Sequence, residues 1–361
     1  MPKSAVDVVS SAFEHTRRQL WTPFRWTQWV RLAVLGLATG EMSSAGGCNW
    51  KRFGGAPKPA PTQGPFDPGK ILHSIDPALL ASMLLVLIGG AMMLMLVWIY
   101  VSSISRFMLF DAVLRSEAGP LRDGWKRWQD PGISFFWWQL GLSVVGFTVA
   151  AVLFLPLLLP VIAVLRNHQR PGAELLLAFL PMFGVFALFG LVMGLIAVLA
   201  KDFVVPLMAL EGLGVMDAWR RLLGMLKNEK GSYAGYIVMK VLLSIGAAII
   251  FGILSAIAAV IVVLPTAIVG VIVAIIVKGA GMGWNEYTLT ALIVGGTIFV
   301  GLILCVIALV CVPVALFFPA YAMYFFAERY PALHARLYPA TPPVRAAPIA
   351  PPFSPPPEPI G

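Results

Sequence analysis

Residues 77–105 read PALLASMLLVLIGGAMMLMLVWIYVSSIS. No charged residue interrupts the stretch, and its apolar residues show no period of two. A helix needs roughly 20 such residues to cross a hydrocarbon layer of about 30 Å. Inside that layer only helices and closed barrels satisfy their own backbone, and a barrel strand would alternate. The stretch therefore reads as a transmembrane helix. Uncharged runs at 131–165, 175–200, 241–277 and 287–327 read the same way, and a weaker segment runs from Trp26 to about Ala45 with Arg31 near its start. Aromatic residues stand near the run ends, among them Trp26, Trp29, Trp98, Trp137, Tyr233, Tyr236 and Trp284. Interfacial belts place them there.

Composition agrees. Across 361 residues, 59% are hydrophobic and 12% charged, and mean hydropathy is +0.86. Soluble domains carry about 25% charged residues, so a surface this poor in charge could not stay monomeric in water. These figures exclude a soluble enzyme and a disordered hub, and 3 Cys exclude a disulfide scaffold. What remains is an all-α, polytopic helical membrane protein.

An internal repeat organises the chain. Leu121-Arg122-Asp123-Gly124-Trp125-Lys126-Arg127-Trp128 aligns without a gap with Val215-Met216-Asp217-Ala218-Trp219-Arg220-Arg221-Leu222. Glu117 aligns with Glu211 at the same offset, and Glu328 opens a partial third copy. Leu121, Trp125 and Trp128 fall at i, i+4 and i+7, as do Val215, Trp219 and Leu222, with the charges opposite. Such aromatic and basic helices (119–129 and 214–227) are expected in the membrane interface, anchored by Trp125, Lys126, Arg127, Trp219, Arg220 and Arg221. The repeat-motif residues are Glu117, Asp123, Glu211, Asp217 and Glu328.

These elements predict about six spans in three like-oriented hairpin units with interfacial amphipathic helices. An N-terminal amphipathic helix occupies 1–25. The units cover 26–117, with a Gly/Pro-rich loop at 46–70, then 118–211 and 212–338. A Pro-rich tail, 339–361, is expected to be disordered. Like-oriented repeats return to one face, so the surplus length of the third unit is read as an apolar excursion around 266–284. Seven spans are the alternative. Pro313 and Pro319 are expected to divide the last span from an amphipathic exit segment. Basic residues in the short N-terminal segment (Arg17, Arg18, Arg25) place both termini in the cytoplasm by the positive-inside rule. The net charge of +9 suits anionic lipid headgroups on the cytoplasmic leaflet and brings no nucleic-acid motif with it.

Catalytic signals are weak. His15, His73, His168 and His334 lack ligand spacing, and neither a cofactor nor a metal is expected. Cys305 and Cys311 read as packing residues. Ala45-Gly46-Gly47-Cys48 resembles a lipoprotein cleavage site, against which Ala45 and Glu41 both argue. Arg31, Gln139 and Lys240 are the possible intramembrane polar residues, Arg31 and Lys240 being near enough to span ends to snorkel. Gly89, Gly90, Gly246, Gly295 and Gly296 read as close helix packing.

One resemblance adds to this. Pro206, Glu211-Gly212, Ala218-Trp219 and Gly231, within KDFVVPLMALEGLGVMDAWRRLLGMLKNEKG at 201–231, resemble bacterial multi-pass membrane families of unknown function. Those families include the membrane domain of some glycerophosphodiester phosphodiesterases. The likeness covers about 105–331. It implies a helical repeat domain in the inner membrane and carries over no catalytic residue. The expected function is non-enzymatic, structural or accessory to envelope and lipid processes. The alternative is a transporter, suggested by the repeats and the Pro-broken spans (Pro156, Pro160, Pro181).

Overall fold

A computed structural model describes residues 4–44, 77–166, 173–279 and 286–338. Helices are the regular structure among them: α1 (Asp7–Trp21), α2 (Trp26–Thr39), α3 (Glu41–Ser44), α4 (Pro77–Leu114), α5 (Leu121–Arg166) and α6 (Ala173–Leu199). A π turn (Ala200–Val204) leads into α7 (Val205–Glu211), followed by α8 (Val215–Asn228), α9 (Lys230–Gly279), α10 (Glu286–Val310), α11 (Val312–Ala327) and α12 (Pro331–Leu337). Among the described residues five stretches, in α4, α5, α6 continuing into α7, α9 and α10, are long and apolar enough to cross a membrane.

The molecule has two unlike ends. At one, α1, α11, α12, α8, α7 and the near ends of α4, α5 and α9 enclose a continuous core containing Leu20, Phe107, Phe135, Phe203, Leu222, Tyr236, Phe325 and Phe326. At the other, the far halves of the long helices stand as apolar arms whose side chains face outward, among them Leu85, Leu94, Phe147, Phe183, Ile249, Ile272 and Ile298. An apolar helix with outward apolar side chains is stable only where the surroundings are apolar too. The multi-pass membrane assignment rests on these arms.

Several sequence expectations change. The weak first segment folds as α2, 14 residues or about 21 Å long, which is short of a hydrocarbon layer. It stops at Gly40, whose φ of 73° is a left-handed helix cap that glycine adopts without strain. Helix 119–129 is no separate interfacial element. It forms the first turns of α5, which is continuous over 46 residues. The excursion proposed around 266–284 is absent over its described part, because α9 runs unbroken through Pro265 to Gly279; residues 280–285 lie outside the described residues. Residues 313–327 make no amphipathic exit segment: α11 is apolar on every face and forms the centre of the core, as a helix hydrophobic all round must.

Aromatic placement also differs from the belt reading. Tyr233 and Tyr236 are buried in the core, whereas Trp26, Trp98 and Trp137 remain exposed. The glycines read as packing contacts meet nothing: a side chain at Gly89, Gly90, Gly246, Gly295 or Gly296 would point into open space. Close approach occurs instead at Gly132, where a Cβ would come within 2.6 Å of Ile104, and at Gly36, within 2.7 Å of the Ala315 Cβ. Gly132 lets α5 meet α4, and Gly36 lets α2 meet α11. Cys311 is fully buried, its sulfur 3.8 Å from the Ser255 hydroxyl, while Cys305 is free and exposed. Residues 45–76, which include the loop, His73 and Cys48, lie outside the described residues, as do His168, Trp284 and the tail from 339.

Candidate functional site: a buried charge clasp

Where the arms meet the core, three elements bring ionised groups together. The π turn Ala200–Val204 supplies two of them. A π turn carries one residue more than an α turn and recurs at functional positions. Consecutive helical residues point about 100° apart, so Lys201 and Asp202 address different neighbours. The Lys201 ammonium donates to both oxygens of Glu41 on α3, each at 3.0 Å. The Asp202 carboxylate accepts the Lys240 ammonium of α9 and the Tyr236 hydroxyl at 2.9 Å. Two ion pairs thereby join α3, the π turn and α9.

This clasp is secluded. Asp202 and Glu41 are each 6% exposed and Lys240 8%. Rings close over it: Tyr236 stacks on Tyr321 at 5.2 Å and lies 4.6 Å from Phe325, and Phe203 packs edge-on against Tyr236 at 5.1 Å. The Lys240 ammonium sits 5.8 Å from the Tyr236 ring and 5.9 Å from that of Phe318, within range of the negative faces of both. The Arg106 guanidinium of α4 lies in the field of Glu41 and Asp202, 5.8 Å from the Phe135 ring, and among the described residues its buried Nε has no hydrogen-bond partner.

Lys240 therefore does not snorkel. About ten residues into α9, with a carboxylate at hand and its route to the interface filled by aromatic rings, its ammonium turns inward. Arg31 does not reach for water either: it donates to the Ala118 carbonyl at 2.9 Å, fastening α2 to the turn before α5. Gln139 accepts from Ser103 at 3.3 Å, a bond between α4 and α5, while Ser143 and Thr148 are satisfied by carbonyls of their own helix. Among the described residues, no group of His, Cys, Asp and Glu could hold a metal.

The repeat-motif residues surround the base of the core. Glu211 accepts from Arg221 at 2.7 Å and from the Tyr330 hydroxyl, tying α7, α8 and the start of α12 together. Burial and, after it, that bond raise the Tyr330 pKa. Glu117 accepts from Arg25 at 3.1 Å, and Asp217 pairs with Arg220 on the surface. Asp123, Lys126 and Arg127 are exposed, Arg127 lying 5.2 Å from the Trp128 ring. Trp125 is half-buried against Tyr100 and Trp219 against Trp138. Glu328 is half-buried at the end of α11.

Glu41, Arg106, Lys201 and Asp202 were missed by the sequence reading. The last three border or interrupt apolar runs and so resemble span ends. A signal existed for Lys201-Asp202: an adjacent pair of opposite charges between two apolar stretches is costly in lipid unless both are matched.

No curated protein and no solved structure matches the chain. The family comparison reaches further. Its match runs over residues 3–336, embracing the core, all five apolar arms and every charge of the clasp, and the chain belongs to that family of unknown function, DUF7544.

Proposed function

We propose that this is a non-enzymatic integral membrane protein of the bacterial inner membrane, with both termini cytoplasmic, structural or accessory to envelope and lipid processes. The observation that carries this reading is the pairing of the buried charges. Glu41 with Lys201 and Asp202 with Lys240 neutralise one another across three chain segments under an aromatic roof. Matched and secluded in this way, they hold segments together. The exposed basic residues Lys126, Arg127 and Arg220 suit anionic headgroups as the lipid partner.

A second reading, a transporter, is favoured by the clasp's position. Ionised side chains between apolar arms mark ion or proton pathways in membrane proteins, and the π turn is a feature such sites share.

One experiment separates the two. The protein is reconstituted in vesicles enclosing a pH-sensitive dye, as wild type, Asp202→Asn, and the double variant Asp202→Leu/Lys240→Met. For a structural clasp, no proton flux exceeds that of empty vesicles. Asp202→Asn alone leaves the Lys240 ammonium unmatched and destabilises the protein by about 3–5 kcal/mol, and the double variant recovers most of that loss. Wild-type flux that Asp202→Asn abolishes in a folded protein establishes the transporter instead.

A further inference from the structure

The corner between α1 and α2 presents a surface that the core does not use. Trp21, Phe24 and Trp26 are 54%, 56% and 59% exposed, yet the first two are held in place. Trp21 meets Trp29 edge-on at 5.7 Å and Phe24 meets it at 5.8 Å, and the Trp29 indole N–H donates to the Leu20 carbonyl at 3.2 Å. Arg17, Arg18 and Arg25 flank the rings and are exposed.

The corner's level in the molecule is fixed. Arg25 binds Glu117 and Arg31 binds the Ala118 carbonyl, both in the turn joining α4 to α5 where the arm of α4 has ended. From Trp26 onward α2 continues an outward apolar stripe, Val30, Val34 and Leu37, at spacings that keep one helix face turned toward the same surroundings. Its opposite face, with Leu32, Leu35 and Gly36, is buried. The corner thus lies where apolar surroundings give way to polar ones.

We infer that this corner is a docking surface for one leaflet of anionic lipid. The rings sit at headgroup depth, where amphipathic aromatics are favoured, and the three guanidiniums engage lipid phosphates, which they can bind in bidentate fashion. Glu14 pairs with Arg18 and Glu117 with Arg25, so three guanidiniums face two carboxylates and the corner stays cationic by one charge. The inference rests on the integral-membrane reading and adds to it a specific lipid-contacting element, distinct from the basic residues of α5 and α8.

The test uses the full chain purified in detergent. Phosphatidylglycerol or phosphatidylcholine is titrated in, and bound lipid and the thermal midpoint are both read. Phosphatidylglycerol should be retained more strongly and raise the midpoint further, an effect that fades with salt. Each arginine removed should weaken phosphatidylglycerol retention about fivefold. Arg17→Gln/Arg18→Gln, which leaves the Arg25–Glu117 pair intact, should reduce it roughly 25-fold on the same basis without altering phosphatidylcholine binding. Trp21→Ser/Phe24→Ser should lower retention of both lipids. Equal retention of the two lipids by wild type, or wild-type phosphatidylglycerol retention in the double-arginine variant, overturns the inference. Extraction of cell membranes with alkaline carbonate separates the underlying reading: release of the wild-type protein would refute integral insertion itself, whereas retention with no lipid preference would refute only the corner.

Discussion

At the scale of single residues, what matters is where a side chain meets a neighbour, and glycine exposes the difference. Gly132 faces Ile104 so closely that an added methyl would overlap its Cγ1 at 2.6 Å and crowd its Cα at 3.1 Å. Backbone cannot move aside cheaply in a packed contact. Gly132→Ala should therefore destabilise the α4–α5 contact by about 1–3 kcal/mol, visible as a lower thermal midpoint in detergent. Gly90→Ala, on an arm with nothing within 4 Å, should leave the midpoint unchanged or raise it slightly, since alanine is the better helix former. An equal loss in both variants would contradict the packing described. Sequence alone could not separate these two glycines, because each interrupts or borders an apolar run and only tertiary contact distinguishes them. The same holds for Lys240. Its position in an apolar run was legible, but the choice between snorkelling and pairing depended on Asp202, distant in sequence and brought into reach by the π turn.

At the scale of elements, α1 shows how a polar contact substitutes for apolar area. The helix buries Val8, Ala12, Thr16, Gln19 and Leu20, and its His15 stands between α4 and α11. The Val113 carbonyl can only accept, so Nε2 carries the proton and donates to it at 3.1 Å. Nδ1 of the neutral ring then accepts the Tyr324 hydroxyl, also at 3.1 Å. Burial, with Arg18 nearby, pulls the His15 pKa below its ordinary 6.5, outweighing the carbonyl bond and Gln19. The unfolded chain thus takes up a proton at a higher pH than the folded one does. Stability from this contact is complete above about pH 6.5 and declines as pH falls below it. Unfolding of α1 from the core should follow that slope, measured by hydrogen exchange in α1 at pH 7.5 and 5.5, and His15→Gln should flatten it. A slope of the opposite sign would mean that the folded state holds charged His15. The N-terminal helix itself was legible from its amphipathic period. Its docking against α11 was not, because 313–327 read as an amphipathic exit segment; a helix hydrophobic on every face satisfies a protein core as readily as a lipid one.

At the scale of the whole molecule, direction of travel decides the topology. The near halves of α4, α5, α9 and the α6–α7 segment all reach the common core, so their arms point the same way, and α10 returns along α9 to enter α11. Arg166 and Gly279, where the described parts of α5 and α9 end, stand at the arm tips, while α1 and α12 both lie in the core. Chain length made the long apolar helices legible from hydropathy. Their number was harder, because the surplus residues of the third unit lengthen α9 instead of forming a further element, and α2 stops short of a full crossing. Even so, α1 belongs to the core end and the start of α4 to an arm tip, and residues 45–76 between them lie outside the described residues. The arrangement we propose has six crossings, with both termini on one side. Reporter fusions after residues 168 and 282 should both be active on the face opposite a fusion after residue 340, and only the last should report the cytoplasm. Cytoplasmic reporters at both 282 and 340 would require α9 and α10 to part, and the hairpin that holds the last two arms together would have to be abandoned; a cytoplasmic reporter at 282 with 340 outside would instead reverse the orientation.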